Sequence, residues 1–341
     1  PEQNNINTQF AGGSFGRRAV PTSDYVSEAV AVAKAIDGRA PVKLMSTPED
    51  EMTEGYYRPI RYHNMEAALD GDGNIRAWRH RLAMQSIMTG TAFEGLVQDG
   101  IDSTSVEGSK ELPYTIPNLQ VDLHTVTGVG VPVLWWRSVG HTHNGFVTEA
   151  FFDELAAAAG KGAYELRREV LNDPPRHLGG LVLAAEKAGW GKDLGPGRGR
   201  GIAVHESFSS FVAEVVDVTV ADDGGFSVDR VVCAVDCGIA INPDIIRAQM
   251  QGGIGYALSA ALREEVTLTA GEVGQRNFDS YRPLRIDEMP EIEVHIVQSA
   301  EAPTGVGEPG VPPLAPALAN ALAAAAGKRI YRLPIGDQLK A

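Results

Sequence analysis

Two acidic glycine turns, Asp70-Gly71-Asp72-Gly73 and Asp222-Asp223-Gly224-Gly225, constrain the fold of this 341-residue chain more than any other feature. Each stands between apolar runs of strand length: Asn64–Leu69 and Ile75–Ile87 for the first, Ile202–Val220 and Phe226–Val235 for the second. Glycine supplies the positive φ that a tight hairpin needs, so the chain must build antiparallel sheet in two places. Between them, Val147–Ala159, Ala163–Leu171 and Pro175–Ala188 read as helices, and Gly195–Gly201 reads as a linker. Further helices are expected at Asp24–Ile36, at Pro243–Leu262 and at Leu314–Ala326, the first capped by Thr22 or Ser23 and the last stopped by Gly327. Pro41–Ser46, Leu119–Thr125 and Ile292–Val297 read as strands, Val131–Trp136 as an extended run, and 89–117 as a long surface connection. With no internal repeat, the fold class is α+β: mixed β-sheets and hairpins with packed helices. Three regions follow: a first lobe over 1–140, a helical connection with its Gly/Arg linker over 141–200, and a second lobe over 201–341.

A formal charge of −14 repels a phosphate backbone, and no segment carries a basic stripe, so nucleic acid is not an expected partner. Cys233 and Cys237 are the only cysteines. They are too few for a disulfide framework or an iron–sulfur cluster, which usually takes about four Cys ligands, and both read as small core residues. No apolar run reaches the roughly 18 residues of a membrane helix, which gives the expectation of a soluble chain. Pro1-Glu2-Gln3-Asn4-Asn5 has neither an initiator Met nor a signal-peptide core and reads as a processed or internal start.

Gly305-Val306-Gly307-Glu308-Pro309-Gly310 has the letters of a dinucleotide-binding GxGxxG without its context. Gln298–Thr304 separates it from the preceding strand, Pro309, Pro312 and Pro313 stiffen it, and no acidic side chain follows at the ribose position. What remains is Glu308 fixed in a stiff loop before a helix, the placement a general base requires; the plainer alternative is an acid favoured by the helix dipole. Arg137, after Trp135-Trp136, sets a guanidinium beside aromatic faces, able to orient an anionic or carbonyl-bearing group. His141 and His143 form an H-x-H pair with no third ligand at a telling distance, and His205 and Glu206 are equally isolated, so zinc is not expected. The glycine loops at 12–16, 197–201 and 252–255 let backbone approach a ligand, and Arg17, Arg18, Arg198 and Arg200 add charge to two of them. Together they suggest a large anionic ligand, and singly they read as ordinary turns.

Five segments now stand in a telling order: Ala11-Gly12-Gly13-Ser14-Phe15-Gly16-Arg17-Arg18, Trp136-Arg137-Ser138-Val139-Gly140-His141, Asp236-Cys237-Gly238-Ile239-Ala240-Ile241-Asn242-Pro243, Gln249-Met250-Gln251-Gly252-Gly253-Ile254-Gly255 and the Glu308 loop. From Ala11 to Pro334 the chain resembles the molybdenum-cofactor-binding subunit of the xanthine dehydrogenase and aldehyde oxidase family, in its isoquinoline 1-oxidoreductase beta type, and there its C-terminal half. The resemblance implies that 1–140 and 201–341 are molybdopterin-binding lobes, the second carrying Glu308 as catalytic base. It implies that Gly13, Ser14, Phe15 and Gly16, with Arg17, meet the cofactor, that Arg137 orients substrate, and that Ser209, Ser210 and Phe211 line the pocket. Gln249 falls where a glutamine contacts the pterin's phosphate end, Gly307 adjoins the cofactor, and His141, Phe208 and Phe211 suggest a partly aromatic pocket wall. No protein side chain ligates the metal, which the pterin dithiolene holds.

The implied activity is a molybdenum-dependent hydroxylase or aldehyde oxidoreductase. It inserts water-derived oxygen at an electron-poor carbon of an aldehyde or N-heteroaromatic ring, with hydride transfer to molybdenum. The implied cofactor is molybdopterin cytosine dinucleotide, with [2Fe-2S] clusters in a small partner subunit and cytochrome c among the acceptors. Two departures matter. Arg17-Arg18 follows Phe15-Gly16, as in the isoquinoline type and unlike xanthine dehydrogenases, so purine specificity is not inherited. The family's Gly-Gln-Gly and Gly-Thr-Gln pterin segments are absent, so a chain carrying the N-terminal half is an expected partner. Cytoplasm, periplasm and membrane association all stay open. A non-catalytic scaffold paralogue of the same fold is the alternative, and a nicotinamide-dependent dehydrogenase a third.

Overall fold

The computed structural model describes residues 5–171 and 175–340; Pro1–Asn4, part of the segment read as a processed start, lie outside them. Helices α1 (Asp24–Ala35) and α2 (Pro48–Thr53) precede the first hairpin. Strand β1 (Arg61–Leu69) pairs antiparallel with β2 (Ile75–Met84) across the first acidic glycine turn, and β3 (Leu119–Thr125) joins β2 in parallel. Three helices follow, α3 (Val139–Ala158), α4 (Ala163–Val170) and α5 (Pro175–Ala188). A four-stranded sheet comes next, from β4 (Arg198–Ser207), β5 (Ser210–Val220) and β6 (Phe226–Asp236). Helix α6 (Pro243–Leu262) and the short pair β7 (Leu268–Thr269) and β8 (Glu272–Val273) lead to β9 (Glu291–Ile296), which completes that sheet beside β6; α7 (Leu314–Ala326) closes the chain. The fold is α+β.

The larger sheet is covered on both faces. Val212 and Val216 of β5 join Met250, Ile254, Leu314 and Leu318 of α6 and α7 in one core. Ala213 and Val215 face the other way, into a second core with Phe152, Leu166 and Leu181 of α3, α4 and α5 and with Trp78 of β2. The two-residue strand period sorts β5 between these layers, and burial on both faces explains its near-continuous valine content. The start of α6 is locally encoded: Asn242 accepts the Asp244 and Ile245 N–H groups at 3.1 Å, and Pro243 occupies the first turn.

Several expectations are corrected. The run Ile202–Val220 is two strands, turned at Phe208-Ser209 with both residues at positive φ, 54° and 61°. No Gly or Asn marks that turn, so composition hides it. Pro41–Ser46 finds no partner edge among the described residues and is no strand. The segment 195–201 is no linker beyond Gly197, because β4 begins at Arg198. A Cβ on Gly199 or Gly201 would stand 2.2 Å from a carbonyl of α7, so these glycines serve close packing of helix on sheet. Helix α3 starts at Val139, eight residues before its apolar periodicity declares it. The 89–117 connection is not purely superficial, since Asp102, Ser105 and Ser109 are buried within it. Among the described residues, no helix is long and apolar enough to cross a membrane.

Candidate active site

The site is built where the end of the 131–137 run meets the Gly/Pro loop before α7. The turn Ser138-Val139 is strained: both residues have positive φ, 71° and 47°, and for a β-branched valine that costs about 1–3 kcal/mol. The strained turn aims the Ser138 N–H at Glu308 Oε1, which accepts it at 2.8 Å, while Ser138 Oγ donates to the Glu308 carbonyl at 2.8 Å. Backbone and side chain of one residue thus hold both ends of Glu308. Gly140 is required for the same approach, since a Cβ there would lie 1.9 Å from the Thr104 carbonyl.

Arg137 clamps the loop from the other side. Its Nε donates to the Gly307 carbonyl at 2.8 Å, one Nη joins it on that carbonyl, and the same nitrogen reaches Gln249 Oε1 at 3.3 Å. The guanidinium lies over the rings of Phe15 and Tyr256 at 5.7 and 5.6 Å, and those rings stack at 5.2 Å. Burial lowers the Arg137 pKa from its ordinary value, opposed by Tyr256 and Glu308. The glycine loop is fixed to this cluster, for Gly16 has φ 110° and a Cβ there would meet the Trp135 carbonyl at 2.0 Å. On the far side, Ser210 Oγ pairs with Thr304 Oγ1 at 2.6 Å and donates to the Gly305 carbonyl at 2.7 Å, tying the start of β5 to the Glu308 loop.

The structure therefore brings together Glu308, Arg137, Gly307, Gln249, Phe15 and Ser210. Other candidates sit elsewhere or are engaged. Arg17 forks onto Asp24 at 2.9 and 3.0 Å. Ser14 turns inward to its own loop, its Oγ accepting the Arg18 N–H at 3.2 Å, beside Gly13 at φ 125°. His141 and His205 share a hydrogen bond of 3.0 Å, and burial lowers His141 to about 4, so the imidazole is neutral near pH 7. Phe208 packs edge-on to His141, with Ser209 beside it at the exposed hairpin tip. Phe211 points to the face of β5 opposite Ser210 and packs on His177 and under Arg176. Among the described residues, no group of three or more His, Cys, Asp or Glu side chains is placed to hold a metal ion.

Three participants were not legible in sequence. Ser138 contributes through its backbone N–H and its hydroxyl, a pairing set by the fold of its turn. Tyr256 stands one residue beyond the Gln249–Gly255 motif. Glu107 lies in the irregular connection, where it accepts the Gly140 N–H at 3.3 Å; burial raises its carboxyl to about 7, with the charges of Asp102, Glu111 and Glu308 adding to the shift. Two carboxylates thus meet successive parts of one helix start.

The surroundings fit a large group bound against backbone. A Cβ built on Gly305 or Gly307, beside Glu308, or on Gly12 or Gly252 would meet nothing within 4 Å. A separate cavity of about 510 Å³, lined by Pro21, Thr22, Tyr56, Gln85, Thr91 and Val131 among others, includes neither Glu308 nor Arg137. Space beside Glu308 is open at Gly305 and Gly307.

Comparison with known proteins gives a consistent placement. Family models described as molybdopterin cofactor-binding domain match residues 1–171 and 177–290. The chain is 31% identical to isoquinoline 1-oxidoreductase subunit beta of Brevundimonas diminuta, over 99% of this chain and 43% of that protein. It is 29% identical to the membrane-bound aldehyde dehydrogenase (pyrroloquinoline-quinone) of Gluconacetobacter polyoxogenes, over 97% of this chain and 46% of that protein. It therefore spans less than half the length of these curated relatives. The structure of quinoline 2-oxidoreductase from Pseudomonas putida 86 shares the fold, with a TM-score of 0.79 at 14% identity, over 96% of this chain and 67% of that one.

Proposed function

The chain belongs to the molybdopterin cofactor-binding family, in the xanthine dehydrogenase group, and on that premise we propose that it is the catalytic part of a molybdenum hydroxylase with Glu308 as its base. The observation that carries the reading is the hold on Glu308. Oε1 is fixed by the Ser138 N–H at 2.8 Å, and the loop carbonyl before it is clamped by Arg137. A base fixed at one oxygen presents the other, Oε2, in a constant direction, which is what proton abstraction requires.

Gly305 and Gly307, the Gly13-Ser14-Phe15-Gly16 loop and Gln249 are the residues that would hold the pterin group, with cytosine dinucleotide as its expected form. Bound there, the molybdenum–pterin group supplies a two-electron oxidation of an electron-poor carbon with oxygen drawn from water. This chain's own residues do the rest. Glu308 Oε2 takes the proton of the attacking oxygen, Arg137 holds the loop and faces the substrate's polar group, and the Phe15–Tyr256 stack walls the site. Named relatives act on an N-heteroaromatic ring and on aldehydes, and we assign the substrate to those two classes.

The electrons require a carrier, for which [2Fe-2S] clusters in a partner subunit are the proposed recipient, with cytochrome c a further acceptor. A partner supplying the missing pterin segments is supported by α1, a 12-residue helix that buries none of its side chains here. A helix of that length is marginal alone, so something must cover it. The test is Glu308→Gln in molybdenum-replete enzyme with an artificial electron acceptor. Turnover should fall about 10²–10⁴-fold, the usual worth of a general base, with metal and pterin content unchanged. Substantial turnover at full metal content refutes the assignment.

A further inference from the structure

Behind the Trp136-Arg137 turn lies a group of basic side chains with no counter-ion. Arg58 precedes β1, Arg61 opens it, His63 follows on the same strand, His80 lies on β2 and His143 on the second turn of α3. His63 Nδ1 and His80 Nε2 share a hydrogen bond of 2.8 Å, and the His63 and His143 rings are 5.3 Å apart. His80 and His143 are 0% and 7% exposed. Arg58 Nε, Arg61 Nε, His80 Nδ1 and both ring nitrogens of His143 are buried with no hydrogen-bond partner, while Arg58 and Arg61 as whole side chains are half-buried. Among the described residues, neither Arg58 nor Arg61 forms a salt bridge.

Such a cluster is costly as it stands. Buried polar groups are normally paired, and arginine cannot shed its charge to escape desolvation. The imidazoles can: burial first, then the neighbouring arginines and histidines, hold His63 and His143 well below the ordinary histidine value. The net charge is therefore that of two guanidiniums beside neutral donors. Water would satisfy the hydrogen bonds and solvate the two half-buried guanidiniums only in part, and a metal cation would be repelled. An anion with several acceptor oxygens answers both needs, since guanidinium N–H groups form a planar fork matched to carboxylate and phosphate.

We propose that Arg58, Arg61 and His143 form a partly buried oxyanion-binding site that takes one carboxylate or phosphate-type group. Arg58 couples it to the catalytic turn, for its guanidinium lies 4.2 Å from the centre of the Trp136 ring, next to Arg137. The oxyanion has two sources, a dissolved phosphate-type anion or a carboxylate side chain from the remaining length of the protein. The site stands independently of the role given to Glu308.

The experiment uses the protein purified from its native source with the chains that accompany it. Thermal unfolding midpoints are measured in sodium phosphate and in sodium chloride at equal ionic strength, for wild type and Arg61→Met. A saturable rise of several degrees in phosphate, lost in Arg61→Met, supports the dissolved source. No phosphate response with a midpoint lowered by several degrees in Arg61→Met supports the side-chain carboxylate, which the substitution strands. An unchanged or raised midpoint in Arg61→Met without a phosphate response overturns the proposal, because removing an uncompensated, partly desolvated charge relieves the fold. A phosphate response undiminished in Arg61→Met overturns it as well. Should Arg61→Met not fold, Arg61→Lys, which keeps the charge and loses the fork, should lessen the phosphate response or, where wild type shows none, lower the midpoint; no change in either overturns the proposal.

Discussion

Arg137→Lys separates two jobs that one guanidinium can have. If Arg137 only orients substrate, the conserved charge of lysine should weaken binding and spare the chemical step. The structure gives it a second task, for Nε and Nη2 grip the Gly307 carbonyl, Nη2 reaches Gln249 at 3.3 Å, and the plane lies over Phe15 and Tyr256. Lysine can recover one bond to Gly307 and none of the fork. The loss is two hydrogen bonds from a charged donor, about 1.5–3 kcal/mol each, and the stacking contribution, about 0.5–2 kcal/mol. A loop freed by that amount no longer fixes Glu308, and misplacement of a catalytic group by about 1 Å costs on the order of 10²-fold in rate. We therefore expect kcat to fall roughly 10²-fold with KM changed only a few-fold, since the interaction is lost chiefly from the transition state. The assay is steady-state turnover of metal-replete enzyme, with metal content measured on the same sample. A KM raised tenfold or more at unchanged kcat refutes the clamp and leaves only substrate orientation. Normal values of both would dismiss either task.

Further outcomes follow from the same geometry. Gly140→Ala places a Cβ 1.9 Å from the Thr104 carbonyl, so the start of α3 must shift; denaturant titration should show a loss of about 1–3 kcal/mol, with turnover falling in parallel as Ser138 leaves Glu308. Glu107 keeps its proton in the folded chain up to about 7 because it is buried, whereas the unfolded chain releases it near 4.5. The stabilisation is complete below the lower value and is lost as pH rises through the upper, a span worth about 3 kcal/mol, and Glu107→Gln should flatten the difference between stability at pH 4 and at pH 8. Glu149 accepts from Tyr114 Oη, from Arg167 Nε at 3.0 Å and from the Val204 N–H at 3.0 Å, all buried. Glu149→Leu should cost about 3–5 kcal/mol by stranding Arg167, and adding Arg167→Met should recover only part of it, because Tyr114 and Val204 stay unpaired.

What the sequence discloses and what it conceals divide along physical lines. The two acidic glycine turns, the Asn242-Pro243 start of α6 and the Gly327 end of α7 at φ 67° are local devices, each complete within a few residues, and all were readable. Gly199 and Gly201 misled because glycine serves both freedom and close approach, and only the α7 carbonyls at 2.2 Å decide between them. Glu308 was legible as a residue in a stiff loop, yet the hold of Ser138 on it was not, since that turn takes its shape from tertiary contacts, and Glu107, which accepts the Gly140 N–H beside it, arrives from a connection without periodicity. The concealed features share a property. Phe15, Ser138 and Val139 hold positive φ without being glycine and stand at the site, whereas Ser23, Asp37, Asp99, Phe208, Ser209 and Ala270 hold it in turns elsewhere. Local preference opposes each of these conformations, so tertiary contacts must impose them, and strain of that kind persists where placement of a chemical group is over-determined by its surroundings. Relaxing one of these residues should therefore trade activity for stability: Val139→Gly removes the β-branched clash at φ 47° and lets the Ser138 N–H wander from the Glu308 carboxylate. The strained Ser138-Val139 turn thus points to Glu308 independently of any motif.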